Sequence, residues 1–102
     1  MNEINEETDL KTKIHSETAK IAWSELQPFF AKGMAVYVSH KLDLVKVAQA
    51  LAEDNQQQFQ DWMQDNLIAN VSDTQASAWL DTNILVWAVV VSPWILVQPV
   101  VD

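Results

Sequence analysis

The chain is expected to fold as an α+β domain, with an N-terminal helix, a short strand, three consecutive helices, and then one or two C-terminal strands that form a small sheet. Three observations predict this. Apolar residues recur at helical spacing on both sides of a short alternating stretch, residues 34–39. The final run, ILVWAVVVSPWILVQPVV (residues 84–101), concentrates β-branched residues and has only Ser92 and Gln98 as strongly polar members. Helices and strands also come in blocks rather than in strict alternation, which argues against a doubly wound sheet. With one helix omitted, the order is helix, strand, helix, helix, strand, strand. That is the winged-helix order, an alternative in topology that fixes no function.

Residues 1–8 are expected to be disordered, with Thr8 or Asp9 capping a helix that begins near Leu10. Leu10, Ile14, Ile21 and Leu26, joined by Ala19, Ala22 and Trp23, form a broken helical stripe and predict one long helix. Pro28 removes a backbone donor, so it should kink this helix or start a short second one at PFFAK. Gly33, the only glycine in the chain, stands where a left-handed residue would end it. The next residues alternate: Met34, Val36 and Val38 share one face of a strand, and Ala35, Tyr37 and Ser39 the other. Asp43 can then cap a helix whose Leu44, Val47, Ala48, Leu51 and Ala52 fall on one stripe. Asp54 with Gln57 has capping-box spacing and opens a helix expected to bury Phe59, Trp62, Met63 and Leu67. Ser72 with Gln75 repeats the pattern for Ala76, Trp79 and Leu80. Asn83 is a plausible left-handed stop, after which residues 85–91 are apolar on both faces, as in a central strand with Trp87 buried. Pro93 cannot donate to a ladder, so it turns the chain into a last strand at residues 94–98 or marks a bend at the sheet edge.

One hundred and two residues make a single domain, residues 1–102, which at this size buries roughly 60 to 70% of its unfolded surface. Fourteen acidic side chains face six lysines and no arginine, for a formal charge of −8. Such a chain repels polyanions and lacks the planar fork that clamps phosphates, so neither nucleic acid nor a membrane surface is expected as a partner. The absence of cysteine excludes disulfides, thiolate metal sites and thiol nucleophiles. A single glycine leaves no phosphate-cradling loop, and no cofactor is expected. The start, MNEINEETD, lacks the basic and apolar regions of a signal peptide, so a cytoplasmic location is expected and the sequon Asn70-Val71-Ser72 carries no glycosylation meaning. Residues 84–97 span 14 positions broken by Ser92 and Pro93, short of the about 20 that a membrane-crossing helix needs.

The chemistry-bearing residues are sparse. His15 and His40 are the only histidines, and no HxH, HxxxH or HExxH spacing is present, so both are expected to be solvated. Ser39 beside His40 is no nucleophile and base, because neighbouring strand residues point to opposite faces. Glu53 with Asp54, and Asp61 with Asp65, are paired carboxylates that could bind a divalent cation. A helix cap and an acidic solvated face account for them more simply. Glu17 and Glu25, eight apart, are also expected to be solvated. Five tryptophans are many for this length. Trp62 and Trp79 align with core positions, whereas Trp94 follows a proline at a bend, where an interface is the sharper expectation.

Four segments carry a resemblance: ETAKIAWSELQPFFAKG (17–33), LDLVKVAQALAEDN (42–55), Trp62, and LVWAVVVSPWILVQ (85–98). They closely resemble, in order, a family of short bacterial proteins catalogued as domain of unknown function 2288; residues 56–83 match more loosely. The resemblance implies kinship and no mechanism, since the family has no assigned activity.

Function therefore rests on three readings. The favoured one is a small non-enzymatic interaction module that self-associates or binds a protein partner through its C-terminal strand region, at Trp94, Ile95, Leu96 and Val97. The alternative is a small enzyme or ligand-binding protein with an acidic pocket near Tyr37, His40 and Asp43, where a strand hands over to a helix. Last comes a nucleic-acid-binding winged helix. Its recognition helix would hold three aspartates and no lysine between residues 54 and 66, so it would repel phosphate.

Overall fold

The computed structural model describes residues 6–101. In chain order its elements are α1 (Glu6–Glu17), β1 (Ala19–Ala22), a 3-10 turn (Trp23–Leu26), α2 (Gln27–Ala31), β2 (Ala35–Val38), α3 (Leu44–Ala52), α4 (Gln56–Gln64), β3 (Ile68–Asn70), α5 (Asp73–Asp81), β4 (Leu85–Val91) and β5 (Trp94–Pro99). The strands form one mixed sheet in the order β1-β4-β5-β2-β3. The fold is α+β, as expected. Five strands with helices on both faces are not the winged-helix arrangement.

The strongest local signals form the elements they predict. Asp43 Oδ1 accepts from Val45 N at 3.0 Å and starts α3. Ser72 and Gln75 make a reciprocal capping box at 3.1 and 3.0 Å and start α5. Gly33 and Asn83 end their helices at φ 73° and 45°, in the left-handed region. In β2 the alternation sorts as read. Val36 and Val38 join α1 and α3 in one core, through Ile14, Leu44, Val47 and Ala48, while Ala35 faces a second core with Trp23, Leu26 and Ala76 on the other side.

Several expectations need correction. The long first helix ends at Glu17, and Ala19–Ala22 is an edge strand paired antiparallel with β4. A period of two competes with the helical stripe here: Ile21 and Trp23 pack into the second core, while Lys20, just before them, lies over Trp87 on the opposite side. That helix also begins at Glu6 rather than near Leu10, so residues 6–8 are helical. The disorder expected of residues 1–5 falls outside the described residues.

Asn55, not Asp54, caps α4, accepting from Gln58 N at 3.2 Å; Asp54 instead has φ 57° just after α3. The run of three helices is interrupted by β3, three residues long and antiparallel to β2, reached through Asn66 at φ 60°. Met63 and Leu80, expected inside, are 54% and 46% exposed.

The largest correction concerns the final apolar run. Its last segment is neither a bend nor an edge. β5 is the middle strand, antiparallel to β4 (Val86↔Pro99 to Val91↔Trp94) and parallel to β2 (Ala35↔Ile95 to Tyr37↔Val97). Ser92 and Pro93, joined by a cis peptide, form the turn between β4 and β5. Ile95, Leu96 and Val97 are buried, and β4 is the partly open strand, with Trp87 37% exposed. Helices α1, α3 and α4 share one face of the sheet without covering all of it.

Candidate functional site

Helix α3 separates two hollows on that face of the sheet, and they share no lining residue. The first sits over β4. Strand register lines up Lys20, Trp87 and Gln98 across β1, β4 and β5. The Lys20 ammonium lies 5.1 Å from the Trp87 ring centroid, a cation–π contact. Gln98 Nε2 donates to the carbonyls of Ser39 and Leu42, both at 2.8 Å, which ties the loop ahead of α3 to the centre of the sheet. Lys11 and His15, one helical turn apart, come in from α1. Leu42, Asp43, Leu44 and Val45 close the remaining side around about 510 Å³. The hollow thus has an aromatic and aliphatic lining with cationic side chains beside it and one carboxylate, Asp43.

The second hollow lies across α3 toward the β3 edge. It is a groove of about 250 Å³ bounded by Leu51, Phe59, Met63, Ile68 and Trp94, with Val36, Ala69 and Asn70 completing it. Phe59 and Trp62 meet edge to face at 5.7 Å, which sets α4 against the sheet. The outer side of β3 pairs with no strand among the described residues.

The structure redistributes the residues singled out in the sequence. Of the stretch Trp94, Ile95, Leu96 and Val97, only Trp94 reaches a hollow; the other three are consumed by the protein's own cores, so a contact surface there contracts to Trp94. Tyr37, His40 and Asp43 are not brought together. Tyr37 packs on the far face of the sheet, 6.1 Å from Trp79, and His40 is exposed in the turn after β2. Asp43 alone lines a hollow, and its company there is His15.

Ser39 serves structure: its Oγ accepts from Lys41 N at 3.2 Å. Asp61 accepts from Gln57 at 3.0 Å. Among the described residues no group of three or more His, Asp or Glu side chains could hold a metal ion, and no helix is long and apolar enough to cross a membrane.

Sequence reasoning missed the grouping of Lys11, Lys20, Trp87 and Gln98. The spacing of Lys11 and His15 was a usable signal for one helix face. The row from Lys20 to Gln98 exists only through strand register, which no local pattern reveals.

A family model described as protein of unknown function (DUF2288) matches residues 9–99. Among solved structures, the chain is similar to the solution NMR structure of PA1075 from Pseudomonas aeruginosa. The two are 38% identical with a TM-score of 0.81, over 100% of this chain and 95% of that one. Among curated proteins nothing matches.

Proposed function

The chain belongs to the DUF2288 family of proteins of unknown function, and from that starting point we propose that it is a non-enzymatic, cytoplasmic interaction module that binds a segment of another protein in the groove beside Trp94. The observation that carries this reading is the uncovered apolar lining. Met63 is more than half exposed, and Leu51, Phe59 and Trp94 are only partly buried. Apolar side chains left open side by side gain free energy when a partner covers them.

Charge selects the kind of partner. Beyond Lys46 the chain has no basic residue, while Glu53, Asp54, Asp61, Asp65, Asp73, Asp81 and Asp102 are all negative. The half of the sequence that supplies α4, β3 and α5 is therefore purely acidic. A second copy carrying −8 is repelled, and an apolar segment with lysine or arginine between its anchors is attracted. An extended segment laid along the free edge of β3 would add backbone hydrogen bonds to the side-chain contacts. The lack of cysteine fits a reducing compartment.

The test is a titration with a twelve-residue peptide of alternating leucine and lysine, followed by NMR, beside sedimentation of the protein alone. The free protein is expected to sediment as a monomer at micromolar concentration. The peptide should shift the amides of Met63 and Ile68 and the Trp94 indole. Trp94→Ala and the exposed-site variant Met63→Glu should each weaken binding about tenfold or more. Replacing the peptide's lysines by glutamate should abolish it. Parent-like affinity in both variants, or a stable dimer that protects Trp94 from solvent, would contradict the proposal.

A further inference from the structure

We infer that the hollow over Trp87 is a binding site for a small organic anion, a carboxylate carried on a flat apolar body. The inference is independent of the groove at Trp94, since the two share no lining residue.

Three features converge on it. First, the volume of about 510 Å³ is in the range that holds a small ligand, and Leu44, Val45 and the open part of Trp87 offer that ligand apolar surface. Second, the local charge runs against the molecule. In a chain of net charge −8, Lys11 lines this hollow and Lys20 stands beside its tryptophan. Lys20 meets the Trp87 ring rather than a carboxylate among the described residues, so its ammonium keeps donors to give.

Third, the opposing carboxylate is already engaged. One oxygen of Asp43 holds the backbone N–H of Val45 at 3.0 Å as the cap of α3. An oxyanion placed between α1 and β1 gains two ammonium groups, and its apolar body covers aromatic surface that the fold leaves in water. The wall is also stiff. Both donors of the Gln98 amide are spent on the Ser39 and Leu42 carbonyls, which holds the loop in place before any ligand arrives.

The experiment is a ¹H–¹⁵N NMR titration of the full chain with phenylacetate, with its neutral analogue phenylacetamide, and with inorganic phosphate. Phenylacetate is expected to shift the Trp87 indole N–H together with the amides of His15, Leu44 and Val45. Phenylacetamide should bind at least about fivefold more weakly, because it keeps the ring and loses the charge. Phosphate, which lacks the apolar body, should also bind more weakly. In the exposed-site double variant Lys11→Gln with Lys20→Gln, acid and amide should bind alike. No shift up to about 10 mM phenylacetate, shifts confined to the Trp94 groove, equal binding of acid and amide by the parent protein, or phosphate binding as tightly as phenylacetate would each overturn the inference.

Discussion

Replacing Trp23 by alanine is expected to cost about 3 to 5 kcal/mol of folding stability, the range for removing a large buried aromatic. Trp23 has no exposed surface. It packs edge to face against Phe30 at 5.9 Å and Trp79 at 5.0 Å, which joins α2 and α5 beneath the sheet. Its indole N–H donates to the carbonyl of Ala76 at 3.1 Å, so the truncation also strips a partner from the middle of α5. Small domains are stable by roughly 5 to 15 kcal/mol, and a loss of this size consumes much of that margin. Urea unfolding measures it directly; a change below about 1 kcal/mol would mean that Trp23 is not a core residue.

The second large effect is expected at Leu96. Leu96→Ala should cost about 2 to 5 kcal/mol, because the side chain is fully buried in the middle strand between α3 and the sheet and leaves a cavity. Trp87→Ala should cost less than Leu96→Ala although it removes a much larger side chain, since Trp87 keeps 37% of its surface in water. The ranking is the informative part. Burial of Trp87 in a central β4, with 94–98 at an edge, would reverse it.

How far the fold was legible follows from where each element draws its stability. Helices α3 and α5 carry their start signals locally, in Asp43 and in Ser72 with Gln75, and both form as read. β2 was legible from its alternation, and β4 and β5 from their β-branched content. The two strands that were missed, β1 and β3, are the two edges of the sheet. They have four and three residues, too few for a pattern to outweigh a neighbouring helical stripe, and what holds them is pairing with strands distant in sequence.

The error over β5 has a different origin. An apolar run says that it must be covered and does not say by what. Pro93 was compatible with an edge or a turn, and the parallel pairing of β5 with β2 is a tertiary fact. The candidate sites inherit this limit. Trp94 was legible as an open aromatic, and Asp43 as a residue at the mouth of a hollow. The neighbours of Asp43 come from α1 and from strand register, and nearness in sequence, which links it to Tyr37 and His40, reveals neither.

All of this rests on the C-terminal apolar segment being the centre of the sheet, with the surface available to partners lying on either side of α3. Site-resolved amide hydrogen exchange on the isolated protein tests that most directly. The amides of Ile95, Leu96 and Val97 lie between two ladder neighbours, and they are expected to exchange among the slowest in the chain, only through global unfolding. The edge strands β1 and β3 are expected to exchange faster. Exchange of residues 95–97 as rapid as that of the edge strands would contradict the central placement of β5, and with it the position of both hollows.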